Sequence, residues 1–396
     1  MMDLKQRDVV VLGMARTAIG NFRGGLASKT AVELGVIAAR EALSRSGVAP
    51  EQIDEVVTGN VYKAGLKGNP ARQIQLALDI PVTAGAATIE QQCASGMRAL
   101  EIGAQQIQLG KTGLCLVCGI ESMSNVPYYD LTSRAGARLG AFRMEDGLLY
   151  DALHDAFDGC HMALTAERVA ERYGITRRDC DELAVLSHQR ALAAIQAGKF
   201  QEEIVPVEVK SRKAVLTVDT DEHPRETTLE ELSRLKPAFK EGGVVTAGNA
   251  SGMNDAACAM VIASAERAKD LGLTPLAVLR ATATVGVPPE IMGVGPIYSV
   301  PKALELAGLQ QEDMAYFELN EAFAAQFLAC QRTLGLDMEK VNRNGSGISL
   351  GHPVGCTGLR IVMETILELR RQGQSLGCAS LCVGGGPSMA AIVEAL

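Results

Sequence analysis

The segment Ser95-Gly96-Met97-Arg98 has a near copy 262 residues later, Thr357-Gly358-Leu359-Arg360. After both segments the apolar residues recur with the period of an amphipathic helix. They coincide at the same offset in four pairs: Met97 and Leu359, Leu100 and Val362, Ala104 and Ile366, and Ile107 and Leu369. The constant offset indicates a chain made of two duplicated halves, with two unrelated αβ units of similar periodicity as the alternative.

A reactive side chain stands just before each of these two helices. Cys93 lies two residues before the first copy, and His352 lies five residues before the second. The unpaired N–H groups and the positive dipole end of a helix N-terminus lower the pKa of a cysteine placed there. If the two halves pack face to face, the cysteine and the histidine form a nucleophile and its base. This arrangement predicts an enzyme that transfers acyl groups.

The composition limits the class of protein. The chain has 396 residues, of which 47% are apolar and 21% charged, so we expect two or three domains with a large core. The net charge of -8 argues against nucleic-acid binding, and the lack of a long apolar run argues against a membrane span. Without a signal-like N-terminus, we expect a cytoplasmic protein whose ten cysteines stay reduced. Cys115 and Cys118 have metal-like spacing but lie in an apolar strand, so we expect no metal site.

Strand and helix patterns alternate in both halves, which predicts an α/β fold with helices on both faces of a mixed or parallel sheet. Between the halves the sequence is richer in charge and in turn residues. We therefore expect three parts: an N-terminal half of residues 1–123 with 252–273, an inserted loop domain of residues 124–251, and a C-terminal half of residues 274–396.

Five motifs support a closer assignment. They are Gln92-Cys93-Ala94-Ser95-Gly96, Gly248-Asn249-Ala250-Ser251-Gly252, Asn320-Glu321-Ala322-Phe323-Ala324, Gly351-His352-Pro353-Val354-Gly355 and Cys382-Val383-Gly384-Gly385-Gly386. Together and in this order they resemble the thiolase family over nearly the whole chain. The resemblance implies a five-layered α-β-α-β-α fold of two similar halves, with a loop domain that is inserted in the first half and binds coenzyme A.

The resemblance also implies roles for five residues. Cys93 is the nucleophile that carries the acyl group, and His352 is the base that activates it. Cys382 removes a proton from the second acetyl group and returns one to coenzyme A, for which a cysteine pKa near neutrality is suitable. Asn320 positions a water that holds the enolate oxygen together with His352. The N–H groups of Gly384 and Cys93 form the oxyanion hole.

Other residues resemble the substrate site of the family. The pantetheine arm of coenzyme A is expected to contact Ser251, Phe239, Ala247 and Ala250. The acyl pocket is expected to contain His161, Met162 and Met292, and Phe323 is a further expected substrate-binding residue. Arg225 resembles a residue near the nucleotide end, the alternative being a solvated loop arginine. Crowding of the pocket by His161 and Met162 favours short acyl groups.

The resemblance implies a reversible Claisen condensation of two acetyl-CoA to acetoacetyl-CoA and coenzyme A, by ping-pong kinetics through an acetyl-cysteine. Coenzyme A is then a substrate and product, and no cofactor is expected. The expected partners are acyl-CoA molecules and further copies of the chain, in a dimer or a tetramer that uses residues 125–143. One alternative is a degradative 3-ketoacyl-CoA thiolase of broader specificity. A second alternative is an acyl-carrier condensing enzyme, against which Cys382 argues. A third is a non-catalytic CoA- or lipid-binding protein, against which the intact set of Cys93, His352 and Cys382 argues.

Overall fold

The computed structural model describes residues 4–136, 139–210 and 214–396. The elements up to the end of the first strand–helix series are β1 (Val9–Thr17), β2 (Gly20–Asn21), α1 (Ala31–Ser46), β3 (Glu55–Gly59), α2 (Pro70–Ala77), β4 (Gly85–Ile89), α3 (Ser95–Gln108) and β5 (Leu114–Ser122). The connecting region contains β6 (Tyr128–Tyr129), β7 (Glu145–Asp146), α4 (Met162–Tyr173), α5 (Arg177–Gln196), β8 (Ile204–Val205), β9 (Val207–Lys210), β10 (Val215–Val218) and α6 (Leu229–Ser233).

The rest of the chain returns to alternating strands and helices. Its elements are β11 (Asn254–Ser264), α7 (Ala265–Asp270), β12 (Ala277–Gly286), α8 (Pro296–Ala307), β13 (Tyr316–Leu319), α9 (Ala324–Leu334), α10 (Gly347–Leu350), α11 (Val354–Gln372), β14 (Leu376–Cys382) and β15 (Pro387–Ala395). Strands and helices alternate in both halves, as the sequence predicts. The pattern of residues 254–265, which is compatible with a helix or a strand, forms the fully buried strand β11.

The main sheet is mixed, with the strand order β13-β14-β15-β12-β1-β11-β5-β3-β4. The two ends of this order repeat one pattern. In the first half β3 runs parallel to β5 and β5 antiparallel to β11, while in the second half β13 runs parallel to β14 and β14 antiparallel to β15. The connecting region leaves from the end of β5 and returns at the start of β11, which are neighbouring strands. The domain boundaries stay a prediction.

Three hydrophobic clusters show how the layers stack. One cluster packs α1 and α2 against one face of the first-half strands. A second packs α8 and α9 against one face of the second-half strands. The third contains residues of α3 and α11 together with the other faces of both sets of strands. The order is therefore helices, first-half strands, helices, second-half strands, helices, which gives the five expected layers.

Two glycines allow α3 and α11 to touch at the centre of the molecule. A Cβ atom on Gly96 would lie 2.9 Å from the backbone N of Leu359, and one on Gly358 would lie 2.8 Å from the backbone N of Met97. Gly96 and Gly358 are equivalent in the repeat, as are Met97 and Leu359, so the contact is nearly symmetric. Because no other residue lacks a Cβ atom, glycine is required at both positions for this close approach.

A buried ion-pair cluster fixes the connecting region to the first half. The Arg16 guanidinium on β1 donates to both carboxylate oxygens of Asp221, at 2.7 and 2.9 Å, and to Glu203 at 2.9 Å. All three side chains are at least nine-tenths buried. Removal of one partner from such a cluster leaves an uncompensated buried charge, which costs about 3–5 kcal/mol.

No helix within the described parts of the chain combines the length and the hydropathy that a membrane crossing requires.

We predict that Gly358→Ala destabilises the protein, although alanine in a helix normally stabilises it by about 1 kcal/mol relative to glycine. The new methyl group meets the backbone of α3, so the free energy of unfolding should fall by about 1–3 kcal/mol. Gly286→Ala is the control, because a Cβ atom there meets no atom within 4 Å. Equal unfolding free energies of the two variants in denaturant titrations would contradict the close contact.

Candidate active site

A cavity of about 370 Å³ lies where the connecting region meets the two repeated helices. Most of the predicted site residues line it: Cys93, His352, Cys382, Gly384, Ser251, His161, Met162, Phe239, Ala247, Ala250, Met292 and Phe323. Asn320 and Arg225 are the two predicted residues that do not line it. Most of its other lining residues are apolar, as in many sites for small organic molecules.

Cys93 lies at the N-terminus of α3 and belongs to the first half. The backbone N–H groups of Gly384 and of Cys93 itself face its thiol and lower its pKa, but burial is the larger effect and raises that pKa to about 11. The expectation of a lowered pKa was therefore wrong, because removal of water outweighs the helix N-terminus. Cys93 is a thiol at neutral pH and needs a base to become a nucleophile.

His352 lies in the loop before α11 and belongs to the second half. Its Nδ1 is 2.7 Å from the Thr357 hydroxyl, which donates its single proton to the Pro353 carbonyl oxygen at 3.0 Å. Nδ1 must therefore carry the imidazole proton and donate it to Thr357. Nε2 is then left bare, and it is buried without a hydrogen-bond partner.

The charge state of His352 follows from its surroundings. Burial, and then the nearby positive charge of Arg360, lowers the pKa of His352 to about 3. The imidazole is therefore neutral at physiological pH and can accept a proton at Nε2. The backbone N–H of His352 donates to the Asn254 side chain at 3.0 Å, which ties the histidine loop to β11.

Glu121, which the sequence analysis did not single out, connects the two halves beneath the cavity. Its carboxylate is fully buried and accepts from the N–H of Val61 at 3.1 Å, from the Asn60 amide at 2.8 Å and from the N–H of Gly355 at 3.0 Å. Burial raises the pKa of Glu121 to about 7 against the effect of these donors. Gly355 is in the first turn of α11, so Glu121 holds the start of that helix to the first half.

Cys382 ends β14 and is 1% exposed. Burial raises its pKa well above the ordinary value, and the nearby Cys93 raises it further. The sequence analysis expected a cysteine pKa near neutrality, which the burial of the site contradicts. Cys382 packs with Met162, Met292 and Ala322 at one end of the cavity. It is thus a protonated acid, suited to donating a proton before it accepts one.

Asn320 follows β13 and is almost fully buried behind the cavity. Neither its amide nitrogen nor its amide oxygen has a hydrogen-bond partner. Such an unsatisfied pair of atoms is costly unless water or a ligand binds there. Its neighbour Glu321 accepts from the Ser187 hydroxyl at 2.6 Å and from the Asn342 amide at 2.9 Å, so Glu321 anchors the loop.

The predicted substrate residues other than Arg225 line the cavity. His161 stacks on Phe239, with ring centroids 4.2 Å apart, and burial lowers the pKa of His161 to about 4. The backbone N–H of Ser251 donates to the Ala322 carbonyl oxygen at 3.0 Å. Arg225 lies outside the cavity and is exposed, and its backbone N–H donates to Nδ1 of His188 at 3.4 Å.

Several lining residues were not predicted from the sequence, among them Gln92, Met123, Ala152, Leu153, Met253 and Val354. Thr357 was not predicted either, although the repeat contains a signal for it. Thr357 is equivalent to Ser95, whose hydroxyl donates to the Gln92 carbonyl oxygen at 2.6 Å. Each hydroxyl therefore braces the loop that carries the reactive residue of its own half.

Comparisons with known proteins agree with this geometry. The family model described as Thiolase, N-terminal domain, matches residues 9–266, and that described as Thiolase, C-terminal domain, matches residues 273–395. The chain belongs to the thiolase family.

Among the residues that the structure describes, no group of three or more histidine, cysteine or acidic side chains is arranged to hold a metal ion.

This thiolase is similar over its whole length to characterised relatives. It is 46% identical over 392 residues to an acetyl-CoA acetyltransferase of Escherichia coli strain K12, which covers 98% of this chain and 100% of the relative. The structure of acetyl-CoA acetyltransferase from Syntrophomonas wolfei superposes with a TM-score of 0.97 at 49% identity, covering 99% of this chain and 100% of that one. Human mitochondrial 3-ketoacyl-CoA thiolase gives a TM-score of 0.96 at 41% identity, with the same coverage.

We predict that Thr357→Val lowers kcat about tenfold to a hundredfold, because His352 loses the acceptor that fixes its tautomer. Thr365→Val is a matched control. Thr365 is also buried on α11, about two turns beyond Thr357, and donates to the Ile361 carbonyl oxygen at 2.7 Å. The prediction is contradicted if both variants lose kcat equally in steady-state thiolysis assays, or if Thr357→Ser does not restore the rate.

The raised pKa of Cys93 predicts the pH dependence of its alkylation. Below the pKa the thiolate fraction grows about tenfold per pH unit, so reaction with iodoacetamide should accelerate from about pH 7 to about pH 10. Peptide mass mapping identifies the modified residue, and Cys93→Ser gives the background. A rate that is already constant near pH 7 would mean that a cysteine–histidine ion pair exists at rest.

Proposed function

We propose that this thiolase is an acetyl-CoA C-acetyltransferase, which condenses two acetyl-CoA into acetoacetyl-CoA and coenzyme A. The observation that supports this most is that Cys93 from one half meets His352 and Cys382 from the other half in one cavity. A thiol nucleophile, a neutral imidazole and a second thiol acid are the groups that such chemistry needs. The names of the similar proteins point in the same direction.

In the first half-reaction Cys93 becomes acetylated. Nε2 of His352 takes the thiol proton as the sulfur attacks the thioester carbon of acetyl-CoA, and the carbonyl oxygen becomes an oxyanion. This oxyanion accepts hydrogen bonds from the N–H groups of Gly384 and Cys93, which face the sulfur in the resting protein. The bond from carbon to the coenzyme A sulfur then breaks, and Cys382 gives its proton to that sulfur.

In the second half-reaction the Cys382 thiolate removes a proton from the methyl group of another acetyl-CoA. The enolate oxygen accepts a hydrogen bond from protonated Nε2 of His352 and from a water on the amide of Asn320, whose atoms lack other partners. The enolate carbon attacks the acetyl group, a carbon–carbon bond forms, and Cys93 leaves as a thiolate that regains its proton. Every step moves a proton or an acetyl group, so the proposal includes no metal or redox cofactor.

The packing of buried side chains around Cys382 supports short acyl groups. Met162 and Met292 are buried there beside Cys382, so a longer chain in that direction must displace packed side chains. A degradative 3-ketoacyl-CoA thiolase is the second candidate, supported by the similarity to the human mitochondrial enzyme. One missing or extra methylene changes kcat/KM by about 10–200-fold in an apolar pocket, so comparing acetoacetyl-CoA with 3-ketohexanoyl-CoA separates the two.

We also propose that the protein is a cytoplasmic homo-oligomer, a dimer or tetramer. The described part of the segment 125–143, which lacks residues 137–138, exposes Tyr128, Leu131 and Phe142. Exposed apolar side chains grouped in this way are typical of contacts between subunits. The ten cysteines are all free, as in a reducing compartment. Sedimentation equilibrium measures the subunit number, and a monomer contradicts the proposal.

The test of the mechanism is the intact mass after mixing with acetyl-CoA. We expect one acetyl group per chain in the wild type and none in Cys93→Ser. Cys382→Ala should keep the acetyl group but lose turnover by about 10²–10⁴-fold, because the enolate-forming base is missing. Cys378→Ala, a buried cysteine on the same strand, is the matched control and should turn over normally. A wild type that gains no acetyl group contradicts the proposed function.

A further inference from the structure

The residue before the nucleophile has a strained backbone. Gln92 has φ of 45°, in the left-handed region that side chains other than glycine seldom adopt. Its carbonyl oxygen accepts from the N–H of Ser95 at 2.9 Å and its own N–H donates to the Glu90 carboxylate at 2.6 Å. Such strain persists only where surrounding contacts hold it, and it is frequent at functional sites.

The side chain of Gln92 lines the cavity and bonds to a neighbouring segment of its wall. Its amide nitrogen donates to the backbone carbonyl oxygen of Asp151 at 3.0 Å. Asp151 belongs to a single π-helical turn, Leu149–Leu153, which we call the wall segment. Ala152 and Leu153 of this segment line the cavity. Gln92 thus joins the nucleophile loop to one wall of the substrate site.

The wall segment has an exposed outer face. Leu149 and Tyr150 are exposed there, and its inner side packs on a small cluster around Ala152. Met162 and Met292, which also line the cavity, are buried with Cys382. Asp151 of the wall segment accepts from the Gln92 amide and from the Tyr129 hydroxyl, and the Gln92 bond is the one that joins the segment to the nucleophile loop.

Gln92 also lies beside the oxyanion donor. A Cβ atom on Gly384 would be 3.9 Å from Cγ of Gln92 and 3.5 Å from Sδ of Met162. The stem of Gln92 is therefore next to the place where the acetyl group joins Cys93. An acyl chain longer than acetyl has to extend past this side chain, so a substitution of Gln92 changes the space that is available to the chain.

We propose that Gln92 is a specificity-determining positioning residue, which restricts this thiolase to short acyl groups by fixing the wall segment to the nucleophile loop. The inference rests on the proposed thiolase activity and adds a residue to it. If the tie is lost, the wall segment moves outward and the cavity lengthens on that side. Because Gln92 lies beside the reacting centre, the readout is the ratio of the rates with a longer and a shorter substrate and not the rate with either one alone.

The experiment compares Gln92→Met and Gln92→Glu with the wild type in thiolysis of acetoacetyl-CoA and 3-ketohexanoyl-CoA. Methionine keeps the length of the side chain without its amide, and glutamate presents only acceptors to the Asp151 carbonyl oxygen. We expect the ratio of kcat/KM for the six-carbon to the four-carbon substrate to rise about tenfold in both variants. Gln331→Met is the matched control, since it removes an amide bond to the Leu336 carbonyl oxygen far from the cavity.

The outcomes separate the two proposals. An unchanged ratio in both Gln92 variants overturns the specificity role, and so does an equal loss of both activities, which means that Gln92 only positions Cys93. An increase of the same size in Gln331→Met overturns it as well, because the effect is then general loosening. A wild type without thiolysis of either substrate contradicts the proposed function itself. The thermal unfolding midpoint of each variant shows whether a loss of activity is caused by unfolding.

Discussion

The close contact between α3 and α11, which Gly96 and Gly358 allow, is the constraint on which the rest of the site depends. Each glycine lets the backbone of the other helix approach to a distance that a methyl group would prevent. Because the helices cross at equivalent positions, the loops before them arrive at one place. One loop carries Cys93 and the other His352. Duplication alone would give two similar halves, whereas the glycine contact gives one shared cavity.

Burial determines the resting chemistry of that cavity. It raises the pKa of Cys93 and Cys382 and lowers the pKa of His352, so all three groups are neutral before substrate binds. Ionic intermediates then form only where fixed donors can stabilise them, as the N–H group of Gly384 does at the sulfur. Fixed dipoles in a site with little water are an effective way to stabilise a transition state. Thr357 contributes by leaving Nε2 of His352 without a proton.

The features of the fold and the site that could be predicted from the sequence are those that short motifs or the repeat encode. The duplicated helices, the reactive residues before them and the ends of β13 and β14 follow from short motifs and hydrophobic period. Sequence reasoning failed for Glu121 and Gln92, because their partners Gly355 and Asp151 are distant in sequence. The pKa predictions for the cysteines failed for a related reason, since desolvation depends on the whole packed core. Thr357 was accessible in principle, as the counterpart of Ser95 in the repeat.

The most direct test of the shared cavity is a chemical bridge between its two thiols. Dibromoacetone, a short reagent with two electrophilic carbons, is added to the folded protein and the digest is mapped by mass spectrometry. The account predicts one bridged product that joins the peptides of Cys93 and Cys382, suppressed by prior addition of coenzyme A. Separate alkylation of these cysteines, or bridges that involve only other cysteines, would contradict it.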